Sequence, residues 1–209
     1  MPDLGTALDD IALIKDRMAG AALFRGFGPA VMAGTGVLAF AAGTVQAVTP
    51  TLTASPFAFI AFWTVIASAA ALAIAIEAYA RTRRHHGGLA DAMLFQAAEH
   101  FLPVGVVGAV LAVIVVTAAP DIAWVLPGVW SLLVATGLFA THRFLPRTIA
   151  IAGAWYLLAG VAALLSAADG RTLSPWSMAL VFGGGQLVLA AVLKFAFAPA
   201  SDAAEDDHV

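Results

Sequence analysis

Two groups of residues in this chain are of types that can do chemistry. The first is Gly183, Gly184, Gly185 and Gln186, set inside the apolar run "ALVFGGGQLVLAAVLKF". A primary amide in such surroundings either bonds to a neighbouring helix or holds a ligand, because an amide left unpaired in an apolar medium is costly. Three glycines beside it either let another backbone approach closely or open the helix so that freed backbone groups line a cavity. The second group is Glu77, Glu99, His100 and His142, each next to the edge of an apolar run. Carboxylates and imidazoles gathered at one mouth can pass protons or cations. The competing reading is interfacial pairing with the nearby arginines; Glu77 stands one turn before Arg81, a favourable i,i+4 ion pair. His100 and His142 at similar depth are also the minimal pattern for two axial haem ligands, though no cofactor is expected from so little.

Other chemistries find no residues. The chain has no cysteine, so thiolate metal sites and disulfides are excluded, and no metal site is expected. No serine pairs with a histidine inside an apolar run, and no phosphate-binding loop, dinucleotide fingerprint or nucleic-acid motif occurs. Neither enzymatic activity nor direct nucleic-acid binding is expected.

The elements that must position these residues follow from composition. Of 209 residues, 62% are hydrophobic and 11% charged, less than half the roughly 25% charged of a soluble domain, and the mean hydropathy is +0.94. Six apolar segments stand out, at 27–48, 57–80, 101–119, 122–141, 147–168 and 175–197. Each is close to the ~20 residues that cross a hydrocarbon core. Pro50, Pro56, Pro120, Pro146, Asp169-Gly170 and Pro175 punctuate them. The expected fold is all-α, a polytopic membrane protein of six transmembrane helices over residues 27–198. Residues 1–26 form a cytoplasmic amphipathic segment, and 199–209 an acidic, disordered tail.

Lys15, Arg17, Arg25, Arg81, Arg83, Arg84, Arg143, Arg147 and Lys194 all fall on one side of such a bundle, and Arg171 alone on the other. The positive-inside rule then places both termini in the cytoplasm. Leu4, Leu8, Ile11 and Met18 share a helical face in residues 4–19, with Thr6 and Asp9 as a capping pair. That helix lies on the membrane surface or docks a soluble partner. Residues 89–100 read as an amphipathic lead-in to the third span, with Pro103 permitting a kink.

Internal similarity is the next signal. "FWTVIASAAAL" at 62–72 aligns without a gap on "AWYLLAGVAAL" at 154–164, pairing Trp63 with Trp155. Thr35-Gly36 matches Thr136-Gly137 between spans one and four. Two three-helix halves with an odd helix count must run in opposite senses, which gives a 3+3 inverted-topology repeat as known from transporters. Gly34, Gly36, Gly43, Gly105, Gly108, Gly153 and Gly160 are expected to form packing seams. Gln46 is placed near an outer end where water satisfies it.

"FRGFGPAVMAGTGVLAF", "LPGVWSLLVATGLFATHRFLPRTIAIAGAWYLLAGVAALL" and "ALVFGGGQLVLAAVL" resemble an uncharacterised family of bacterial six-helix integral membrane proteins, over about residues 5 to 197. The resemblance implies no activity. It implies a regulatory setting, since members are often encoded beside winged-helix transcription regulators. The family commonly has His after the Gly-Gly of the last helix, where this chain has Gln186, and that departure speaks against a metal or haem role there. Two functions remain open. One is a non-catalytic inner-membrane protein that is regulatory, or binds lipids or an apolar small molecule, with a cytoplasmic regulatory protein as partner. The other is a small homodimeric transporter or channel with a midplane site near Gln186.

Overall fold

A computed structural model describes residues 28–86, 90–140 and 148–196. The amphipathic N-terminal segment, the acidic tail and His142 lie outside these residues. Six helical segments are long and apolar enough to cross a membrane: α1 Pro29–Val48, α2 Pro56–His86, α3 Ala90–Ala118, α4 Leu126–Ala140 together with the turn Pro120–Val125 before it, α5 Ile149–Ala168 and α6 Pro175–Ala196. The described residues contain no strand. This is the all-α fold of a multi-pass membrane protein, as the apolar segments imply.

Proline sets several helix starts. Pro29, Pro50, Pro120 and Pro175 each stand in the first helical turn, where a missing N–H costs nothing. The turn Pro120–Val125 is 3-10 in form and leads directly into α4, so the fourth span begins earlier than hydropathy places it. The lead-in before the third span is continuous with it: α3 runs through Pro103 from Ala90 to Ala118.

Each helix packs on its chain neighbours, and α6 returns to α1. Burial is uneven. Only 17% of the apolar window in α2 and in α3 is buried, against 33% to 44% in the other four helices. In lipid there is little hydrophobic gain from joining two helices, so close packing must hold them. The buried residues of α1 show how. Met32, Ala39 and Gln46, then Thr35 and Ala42, then Gly36 and Gly43 recur every seven positions, a repeat that keeps one seam against its neighbours. In α5 the same spacing joins Ile149, Tyr156 and Ala163, and Gly153, Gly160 and Ala167. Where seams meet, backbones nearly touch. A Cβ on Gly160 would lie 2.9 Å from the Ser131 Cβ and 3.1 Å from the Gly128 carbonyl oxygen.

The core divides into two clusters. One holds Met32, Ala78, Leu138, Ile149, Tyr156 and Leu193, and the other Ala39, Phe59, Trp63, Val115, Leu126 and Met178. Phe182 of α6 packs against both. The contacts lend the inverted repeat no support. Trp63 is 2% exposed and bonds to α1, whereas Trp155 is 39% exposed and bonds to α6. Under a 3+3 repeat the counterpart of α1 is α4, so the two indoles reach for unmatched helices.

Candidate functional site

The site begins with the interruption of α6. Its first turn, Pro175–Met178, is α-helical; Ala179–Gly183 is π-helical; Gly184–Ala196 is α-helical again. A π-turn inserts an extra residue into a helix and is found often at functional sites. Here the Gly184 N–H divides between the carbonyls of Leu180 and Val181. The indole N–H of Trp155 also donates to the Val181 carbonyl, at 3.1 Å. The distorted turn is thus tied to α5 by an outside hydrogen bond.

The glycines that follow each face a different neighbour. A Cβ on Gly183 would lie 2.8 Å from the Phe40 ring and 3.2 Å from the Gly36 carbonyl oxygen of α1. On Gly184 it would lie 2.5 Å from Trp155 Cζ2, and on Gly185 it would overlap the ring of Tyr156. Three glycines cost roughly 3 kcal/mol of helix propensity relative to alanine in an exposed soluble helix. Close approach to α1 and α5 is what their missing side chains permit. Tyr156 is itself held: its carbonyl accepts the Ser131 hydroxyl at 2.6 Å, and its ring tilts against Phe182 at 5.9 Å.

Gln186 follows directly, near the middle of α6. Its side chain is half-buried, and its Oε1 is buried with no hydrogen-bond partner. A buried acceptor without a donor costs about 1–3 kcal/mol. The glycines therefore act in packing, while the amide beside them keeps an acceptor unused. The Trp124 indole nitrogen is likewise buried and unpartnered.

Gln46 is a residue whose role sequence reasoning missed. It is fully buried, not solvated at an outer end. Its Oε1 accepts the Trp63 indole N–H at 2.6 Å, and its Nε2 donates to the Leu52 carbonyl at 3.2 Å. The correction has a physical cause: the turn Pro50–Leu52 and the start of α2 fold back over the end of α1 and displace water. The available signal was the seven-residue row Met32, Ala39, Gln46.

The charged group is only partly assembled. Glu77 and Arg81 form the one ion pair among the described residues, half-exposed and packed against Gly28 at the start of α1. Arg83 lies over the Tyr79 ring, 5.0 Å from its centroid. Glu99 is exposed. The side chains of His100 and His142 lie outside those described. Among the described residues no three His, Cys, Asp or Glu lie together as a metal site would require.

Chemically, the buried polar side-chain groups of the spans are neutral among the described residues: Thr35, Gln46, Ser131, Tyr156, the Trp124 indole nitrogen and the Gln186 oxygen. Described charges stand at span ends. Such an interior can hold an uncharged molecule by one or two hydrogen bonds within apolar walls. No family model, curated protein or solved structure matches the chain.

Proposed function

We propose that the chain is a non-catalytic protein of the bacterial inner membrane, with both termini in the cytoplasm. It binds a lipid or another apolar small molecule carrying a hydrogen-bond donor, and answers to a soluble cytoplasmic partner. One observation carries the ligand: the Gln186 oxygen is buried without a donor, midway along a helix whose other packing is dense. The amphipathic residues 4–19 and the family resemblance support the partner. The lack of described charge away from the span ends weighs against ion-coupled transport, which relies on an ionisable group at depth. Native mass spectrometry of protein extracted from membranes tests the reading. An apolar species should remain bound to the native chain and be lost from a folded Gln186→Leu variant. Retention by both would remove Gln186 from the site.

A second reading, a homodimeric carrier or channel, draws on the π-turn, because a distorted helix beside an unpaired amide is how carriers build midplane sites. Solute flux in proteoliposomes, with no apolar species bound, would favour it.

A further inference from the structure

We propose that the π-turn of α6 is one of two registers of that helix, with the Trp155 indole as the latch that holds the register seen here. The inference stands apart from the ligand proposed above. A π-turn contains one residue more than an α-turn. Converting it to α-helix turns everything downstream by one residue, about 100° and 1.5 Å, so that each residue takes the place of the one after it.

Three consecutive glycines fit this step. In the present register Gly184 lies under Trp155 and Gly185 under Tyr156, and neither place has room for a Cβ. After the step Gly183 lies under Trp155 and Gly184 under Tyr156. Both rings still face glycine. The place that changes is the one against α1, where the Phe182 Cβ would arrive 3.2 Å from the Gly36 carbonyl oxygen; the half-buried Phe40 ring must swing aside and the α1 backbone must give by a few tenths of an ångström. Gln186 moves in the same step. It leaves the position where its oxygen is buried and unpaired and enters that of Leu187, which lies along the α1 seam at Gly36. The outside bond acts against this motion. Trp155 Nε1 grips Val181 inside the widened turn, and the step would carry that carbonyl away from it.

The chain lacks cysteine, so single spin labels at Ala190→Cys and Ala191→Cys in lipid bilayers report one site each. Ala190 is buried, Ala191 exposed and Val192 buried. In the stepped register Ala190 takes the exposed place and Ala191 the buried one. Oxygen accessibility should therefore be several-fold higher at 191 than at 190 in the native chain. Trp155→Phe keeps the ring and removes the donor; it should lower that ratio at least threefold, with 190 rising as 191 falls. An unchanged ratio, or both positions rising together as in general loosening, overturns the proposal. If Trp155→Phe fails to insert, the native protein carries the test. A two-component spectrum at 191, with the immobile part growing on warming, upholds the two registers, and a single component at every temperature overturns them.

Discussion

Gln46 and Gln186 are the same residue type in two apolar helices, and their surroundings differ in kind. Around Gln46, every polar group has a partner: an indole N–H meets the amide oxygen, and the amide nitrogen meets a turn carbonyl. Around Gln186 the shape is as tight, since Trp155 and Tyr156 press on the adjacent glycines, yet the amide oxygen has no donor. A membrane protein places a polar side chain at depth either to join helices or to do work. The first glutamine joins helices. The second leaves its oxygen without a partner among the described residues.

The largest effect should come from filling the packed side of the second region. Gly185→Leu drives a side chain into Tyr156, whose backbone is anchored to Ser131. It is expected to cost about 3 kcal/mol or more, the upper end of overpacking penalties. Reversible unfolding in lipid or detergent measures it. A loss under 1 kcal/mol would mean that the α5–α6 contact is looser than described.

Gln46→Leu should come next, at about 2–3 kcal/mol, because it strands the Trp63 indole N–H and the Leu52 carbonyl together. The difference in tryptophan emission between the folded variant and the native chain gives a second readout, as one of the five indoles loses its acceptor.

A smaller effect of opposite sign is expected outside both regions. Arg171 has φ +48°, alone among described non-glycine residues, and its N–H closes α5 on the Ala167 carbonyl at 2.7 Å. This is a helix-end position that glycine occupies with less strain. Arg171→Gly should stabilise the protein by about 1 kcal/mol, read as a small rise in unfolding midpoint. A fall would show that the arginine side chain makes a contact worth more than the strain.

Much of this was legible in the residues. Six apolar stretches and their prolines mark the helices, and Gly36, Gly43, Gly153 and Gly160 mark seams because in lipid only close packing holds helices together, whereas Gly34 and Gly105, also expected in seams, meet nothing within 4 Å. The Glu77–Arg81 pair follows from helical spacing alone. Gln46 was misread because its partners, Trp63 and Leu52, arrive through a chain reversal that hydropathy does not describe. The glycine triplet admits an opened helix, but nothing in "ALVFG" fixes a π-turn there, and its outside hydrogen bond comes from Trp155 of α5, distant in the sequence. The Trp63–Trp155 match gains no support from the contacts, since the two indoles bond to unmatched helices.

The sharpest test sets the two glutamines side by side. Gln46→Leu and Gln186→Leu are unfolded in the same lipid by the same assay. Gln46→Leu should lose about 2–3 kcal/mol, and Gln186→Leu, compared with native chain stripped of any bound apolar species, should stay within about 0.5 kcal/mol or gain stability, since it removes an acceptor that has no donor in the protein. Equal losses from the two substitutions would make Gln186 interhelical glue like Gln46 and contradict the distinction on which the proposed site rests.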